Sequence, residues 1–360
     1  MAAPCPQPGS EANALTVLGG VSSDSDILHD PDFWFNDGNI VIVAKNHHAD
    51  ARPTGFRVHM GVMSRHSEVF KDLLCQSLPR PKEGEGSVTI EGCPQMLVTD
   101  SYFDFTHLLH ALYDGIGYLA EPESVGFGGL AALVRLGHKY DIAPVYNAAL
   151  TRLRAAFDDR AFWVDPPNQD KAADQRWMPD LWEALIAVNL FRTIAADDLR
   201  AIALYISTTL LDAGQLIGGA EREDGFIERL ADDDLARCFE ARLSLFTRRL
   251  TYINDTLTEP PRPGCESNYQ CGNHVQALLP RKRTYSYANL MGRRLVPCIP
   301  WSTEGVQLLC ARCVDFFKQR EQQFLEKVWS DLPEIMSIPR PTPPEPVAPS
   351  EVTNTTTVAA

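Results

Sequence analysis

Between Asp37 and Leu74 the apolar pattern changes from strand-like to helical, and this change limits the fold more than any other feature of the chain. Asp37-Gly38 is a turn signal, Ile40 to Ala44 is a short β-branched apolar run, and "TGFRVHM" alternates as its partner strand. Met63, Phe70, Leu73 and Leu74 then recur at helical spacing behind Ser64, the expected helix starter. After a loop, "SVTIEG" is expected as a third strand, and "DFTHLLHALYDG", "GFGGLAALVRLGHKYDI" and "APVYNAALTRLRAAF" as helices punctuated by Gly115 and Pro144. The fold class this implies is α+β: a small sheet with short connections laid against a cluster of helices.

The flanks differ in texture. Residues 1–28 hold several prolines and no aromatic residue, so they are expected to be disordered. The α+β unit is expected at 29–157, with a polar linker at 158–176. Residues 177–338 carry strongly amphipathic patterns such as "MPDLWEALIAVNLFRTI" and "DDDLARCFEARLSLFTRRLTYIND" with no strand signal between them, which implies an all-α carboxy-terminal domain. The Pro- and Thr-rich tail, 339–360, is expected to be unfolded.

Charge and cysteine usage narrow the function classes. A net charge of −14 disfavours broad attraction to nucleic acid or to an anionic membrane. No apolar run is long enough to span a bilayer, and no Lys or Arg precedes Lys45, where a signal peptide would need one. Nine cysteines, an odd number, do not suggest a disulfide scaffold, so reduced thiols and an intracellular location, cytoplasmic or nuclear, are expected.

Asp37-Gly38, then Phe56-x-Val58-His59, then Ser64, Ser67 and Phe70, followed by "SVTIEG" and paired helices, resemble the BTB/POZ family over roughly residues 33–157. The chain as a whole, with its helical second half, is similar to the BTB-domain proteins of mushroom-forming fungi. The resemblance implies a protein-interaction module that binds partners or itself, in some members as a cullin adaptor. Cullin binding is disfavoured here, because "CQSLPRPKEGEG" lacks the hydrophobic-x-Glu element that adaptors carry after the corresponding helix. His59 is expected to fix the strand-to-helix corner, with its imidazole bonded to nearby polar groups.

No GxSxG, GxxxxGK[ST] or HExxH motif occurs, so catalysis is not expected. His107 and His110 lie one helical turn apart without a third ligand nearby in sequence and are expected at the surface. Arg281, Lys282, Arg283, Arg293 and Arg294 interleave with Tyr285 and Tyr287 in the one basic island, which supports an alternative: a zinc-stabilised regulator with a nucleic-acid-contacting carboxy-terminal region. Nucleic acid is the weaker expectation for so acidic a chain.

The metal reading rests on Cys310 and Cys313, three residues apart, which place two thiols on one face where a long helix starts. Cys265 and Cys271, with His274 as a substitute for one ligand, would complete a structural zinc site. Ordinary buried or surface thiols are the even alternative.

Overall fold

The computed structural model describes residues 26–48, 51–77, 89–115, 117–118, 125–158, 181–258, 264–267, 270–275 and 309–338. β1 (Leu28–Trp34), β2 (Ile40–Lys45), β3 (Thr54–Val58), β4 (Thr89–Ile90) and β5 (Cys93–Ser101) form one sheet in the order β1-β3-β2-β5-β4. β2 is central, antiparallel to β3 and parallel to β5. Its sequence, IVIVA, does not alternate because both faces are covered. Ile40, Ile42 and Ala44 enter the main core, whereas Val41 and Val43 face a smaller one closed by Ile27, Ile90 and Cys93.

β1 corrects the expectation that residues 1–28 are disordered up to their last member. Ile27 is buried and the strand starts at Leu28. Pro31 and exposed neighbours hide the strand in the sequence, and both suit an edge strand whose pairing with β3 breaks register between His29 and Trp34. Phe33 is buried, while Phe35 packs against the main core and Trp34 against the smaller one.

α1 (Met60–His66) and α2 (Glu68–Ser77) follow β3 directly. Ser64 is not the helix starter: it lies inside α1, and the capping serine is Ser67. The Ser67 hydroxyl accepts from the Phe70 N–H at 3.0 Å and donates to the Tyr140 carbonyl at 2.6 Å, so one side chain starts α2 and ties it to a helix end far along the chain. Phe70 then stacks on Tyr140, centroids 4.1 Å apart.

α3 (Tyr102–Tyr113) packs on β2 and β5, α4 (Phe127–Lys139) packs on α3, and α5 (Ala143–Phe157) packs on α4. The second half contributes α6 (Leu181–Thr193), α7 (Asp197–Leu210), α8 (Ala213–Gly218), the long α9 (Asp232–Thr258), α10 (Ala311–Ser330) and the short α11 (Leu332–Ile335). It is not purely helical. β6 (Ala220–Glu221) and β7 (Ile227–Glu228) form a hairpin of two-residue strands, too short to register as a pattern in the sequence.

Both halves share one core, in which buried side chains run without a break from Phe33 to Ile338. At the seam Phe157 meets Phe191 edge-on at 5.1 Å, and Arg154 pairs with Asp198. Among the described residues, no helix is long and apolar enough to cross a membrane.

Candidate metal centre

Three pieces of chain converge beyond the far end of α9. Residues 264–267 form a turn, 270–275 a short helical segment, and α10 begins at Ala311 with Cys310 as its N-cap. Gly264 adopts φ +82°, the left-handed conformation that glycine reaches without strain, and Arg312 donates to its carbonyl at 3.4 Å. These turns bring Cys265, Cys271, Cys310 and Cys313 together, with all four sulfurs within 4.8 Å of one another. Cys271 and Cys313 are 3% and 1% exposed and belong to a small core with Ile253, Val275, Leu309 and Phe317.

The spacing tests the fit to a metal. Tetrahedral zinc with Zn–S near 2.3 Å needs sulfurs ~3.8 Å apart. Cys265 and Cys310 lie 3.9 Å apart and Cys265 and Cys313 3.5 Å, well beyond the ~2.05 Å of a disulfide. All seven described cysteines are free thiols. The donor set is therefore four soft ligands at metal-binding distance, with no open position for a substrate.

The surroundings treat the sulfurs unequally. Backbone hydrogen bonds from Glu266 and Cys313 bring the Cys310 thiol down to about 7. Its place at the start of α10 also favours a thiolate, because the free N–H groups of a helix N-terminus point at it. Burial, followed by the neighbouring Cys265 sulfur, pushes Cys313 up to about 12, and burial likewise raises Cys271. The Cys310 N–H donates to the Cys271 sulfur at 3.4 Å, the kind of contact that supports a charged sulfur ligand.

His274 lies on the same helical segment but outside the four-sulfur set. Arg281, Lys282, Arg283, Arg293 and Arg294 lie outside the described residues. In the amino-terminal half, Phe56, Val58 and Phe70 are fully buried. Gly38 is required by close approach, because a Cβ there would meet the Arg57 carbonyl at 2.9 Å. His59 sits between Asp37, 3.3 Å from Nε2, and the Tyr113 hydroxyl, 3.1 Å from Nδ1, while its N–H donates to that same hydroxyl. The Asp37 carboxylate reaches this ring from the turn before β2.

His107 and His110 are not surface side chains. Both are half-buried, His110 bonded to Asp114 at 2.7 Å and His107 to the Tyr118 hydroxyl. Burial lowers the His107 pKa to about 4.

One charged cluster left no trace in the sequence. Asp104 on α3 pairs with Arg135 on α4 and, at 3.0 Å, with Arg222 beside β6. Arg222 continues to Asp224 at 2.7 Å and Glu228 at 3.3 Å, so the network ties the sheet's helices to the second half's hairpin. Its directly bonded partners are up to 118 residues apart, and neither spacing nor periodicity could have joined them.

No family model matches the chain, and neither a curated protein nor a solved structure matches it.

Proposed function

We propose that the chain is an intracellular protein-interaction module, BTB/POZ-like over residues 29–157, that binds partner proteins or itself as an adaptor or regulator, and that it carries one structural zinc. The supporting observation is how the motif residues are used. Phe56, Val58 and Phe70 are core, Ser67 is a cap and His59 braces a corner, so the part that resembles the family is a scaffold whose output is its surface. The four cysteines fit the same reading: zinc held by Cys265, Cys271, Cys310 and Cys313 would cross-link loop to helix and supply stability rather than chemistry. Cullin binding remains disfavoured. Sedimentation velocity on the untagged full chain, together with affinity capture from native cells, tests the interaction reading. A concentration-dependent dimer or a near-stoichiometric partner is expected; a chain monomeric at ~50 μM that captures nothing contradicts it.

One observation supports the second reading, a regulator that contacts nucleic acid. Arg281 to Arg294 fall between the two cysteine pairs, so a metal would tie together the chain on both sides of the basic island. A salt-dependent binding titration distinguishes the two, since phosphate contacts impose a steep slope of affinity on salt.

A further inference from the structure

Where α3, α4 and α6 meet the β6–β7 hairpin there is a pocket of ≈ 240 Å³. Its buried lining is Phe127, Ala131 and Ile186, and Phe103 and the half-exposed Trp182 add aromatic surface. Ligand sites for small molecules usually occupy ~300–1,000 Å³, so this one suits a single long side chain.

Charge decides what kind. The lining holds four carboxylates, on Asp104, Glu183, Glu221 and Glu223, against two guanidiniums, on Arg135 and Arg222. Both guanidiniums are already committed: Arg135 to Asp104 and Glu228, Arg222 to Asp104, Asp224 and Glu228. The exposed side chains of Glu221 and Glu223, by contrast, have no hydrogen bond or ion pair among the described residues.

An anionic ligand is excluded by the same residues. The first turn of α4 would be its natural seat, but the Glu223 carboxylate already lies over it: a Cβ on Gly128 would fall 2.4 Å from Glu223 Oε1, so only glycine allows that approach. Partial burial and the neighbouring Asp224 raise the Glu223 pKa.

We infer that this pocket binds the alkylguanidinium of an arginine presented by a partner protein. The apolar lining takes the aliphatic stem, Trp182 and Phe103 add aromatic surface beside a planar cation, and Glu221 and Glu223 supply the countercharge. The net charge of −14 draws such a partner in. The inference is independent of the metal: loss of pocket binding would leave zinc content unchanged.

The test is calorimetric titration of the full chain with acetyl-Gly-Gly-Arg-Gly-Gly-amide, beside the same peptide carrying neutral citrulline in place of arginine. Saturable binding with Kd on the order of 1 mM is expected for the arginine peptide, and binding at least about tenfold weaker for citrulline. The E221Q/E223Q double variant should also bind about tenfold more weakly while keeping a cooperative melt, since neither side chain hydrogen-bonds another described residue. W182A should weaken binding without abolishing it. Failure to saturate by ~10 mM, equal binding of the citrulline peptide, or undiminished binding by the double variant would each overturn the inference.

Discussion

The two ends of α10 are held by different means. Toward its carboxyl end, Phe324, Leu325, Val328 and Trp329 join the main core, Trp329 meets Tyr205 edge-on at 6.2 Å, and Arg248 from α9 pairs with Asp331 at 2.8 Å. At its amino end the helix rests on a satellite of six buried residues, two of them cysteines. A cluster that small buries too little apolar surface to offset the entropy of ordering the loop around it. Four thiols converge where hydrophobic burial runs short, and a cross-link there would do for the satellite what area does for the main core.

The largest effect should come from removing the proposed zinc. With a chelator, or with Cys313→Ser, hydrogen exchange in the first turns of α10 through Phe317 should speed up by the equivalent of 5 kcal/mol or more, on the order seen when structural zinc is lost. The turns from Leu325 onward should keep their protection, and equal loss at both ends would erase the contrast. Asp104→Ala acts on the other region. It strips Arg135 and Arg222 of a shared buried carboxylate and should destabilise the main body by about 3 kcal/mol in denaturant melts, while metal content stays the same.

His107 supplies a pH test of the main core. Its folded pKa, about 4, lies below the ordinary 6.5, so the unfolded chain binds the extra proton first. The stability it contributes is present above pH 6.5 and is lost as pH falls toward 4, a change on the order of 3 kcal/mol. His107→Gln should flatten that slope in urea melts run across the interval; an unchanged slope would place the acid sensitivity elsewhere. The smallest effect is Ser67→Ala, which removes the cap of α2 and its bond to Tyr140 and should cost about 1–2 kcal/mol in the same melts.

Local patterns were legible wherever one element answers to its own sequence. The run IVIVA and the helical spacing after Met63 state their roles within a few residues, and the structure places them accordingly; the two cysteine pairs lie far apart in sequence and converge within 4.8 Å. β1 was not legible, because an edge strand tolerates Pro31 and exposed side chains, and neither β6 nor β7 is long enough to show a period. Ser64 outshone Ser67 because both fit a cap by residue type, and only the bond from the Phe70 N–H to the Ser67 hydroxyl shows which one caps. The Asp104 network and the continuous core were beyond reach for one reason. Periodicity tells which face of a helix is apolar, and charge tells what a side chain needs, but neither names the partner across the fold.

Metal analysis of the untagged full chain, purified without added metal, tests the account of the carboxy-terminal end most directly. About one equivalent of zinc per chain is expected in the wild type and close to none in Cys265→Ser/Cys313→Ser, since four thiolates at this spacing form a closed tetrahedral site. Zinc below about a tenth of an equivalent in the wild type, with no change in melting on adding a chelator, would contradict it and leave the four cysteines as thiols packed in a small core.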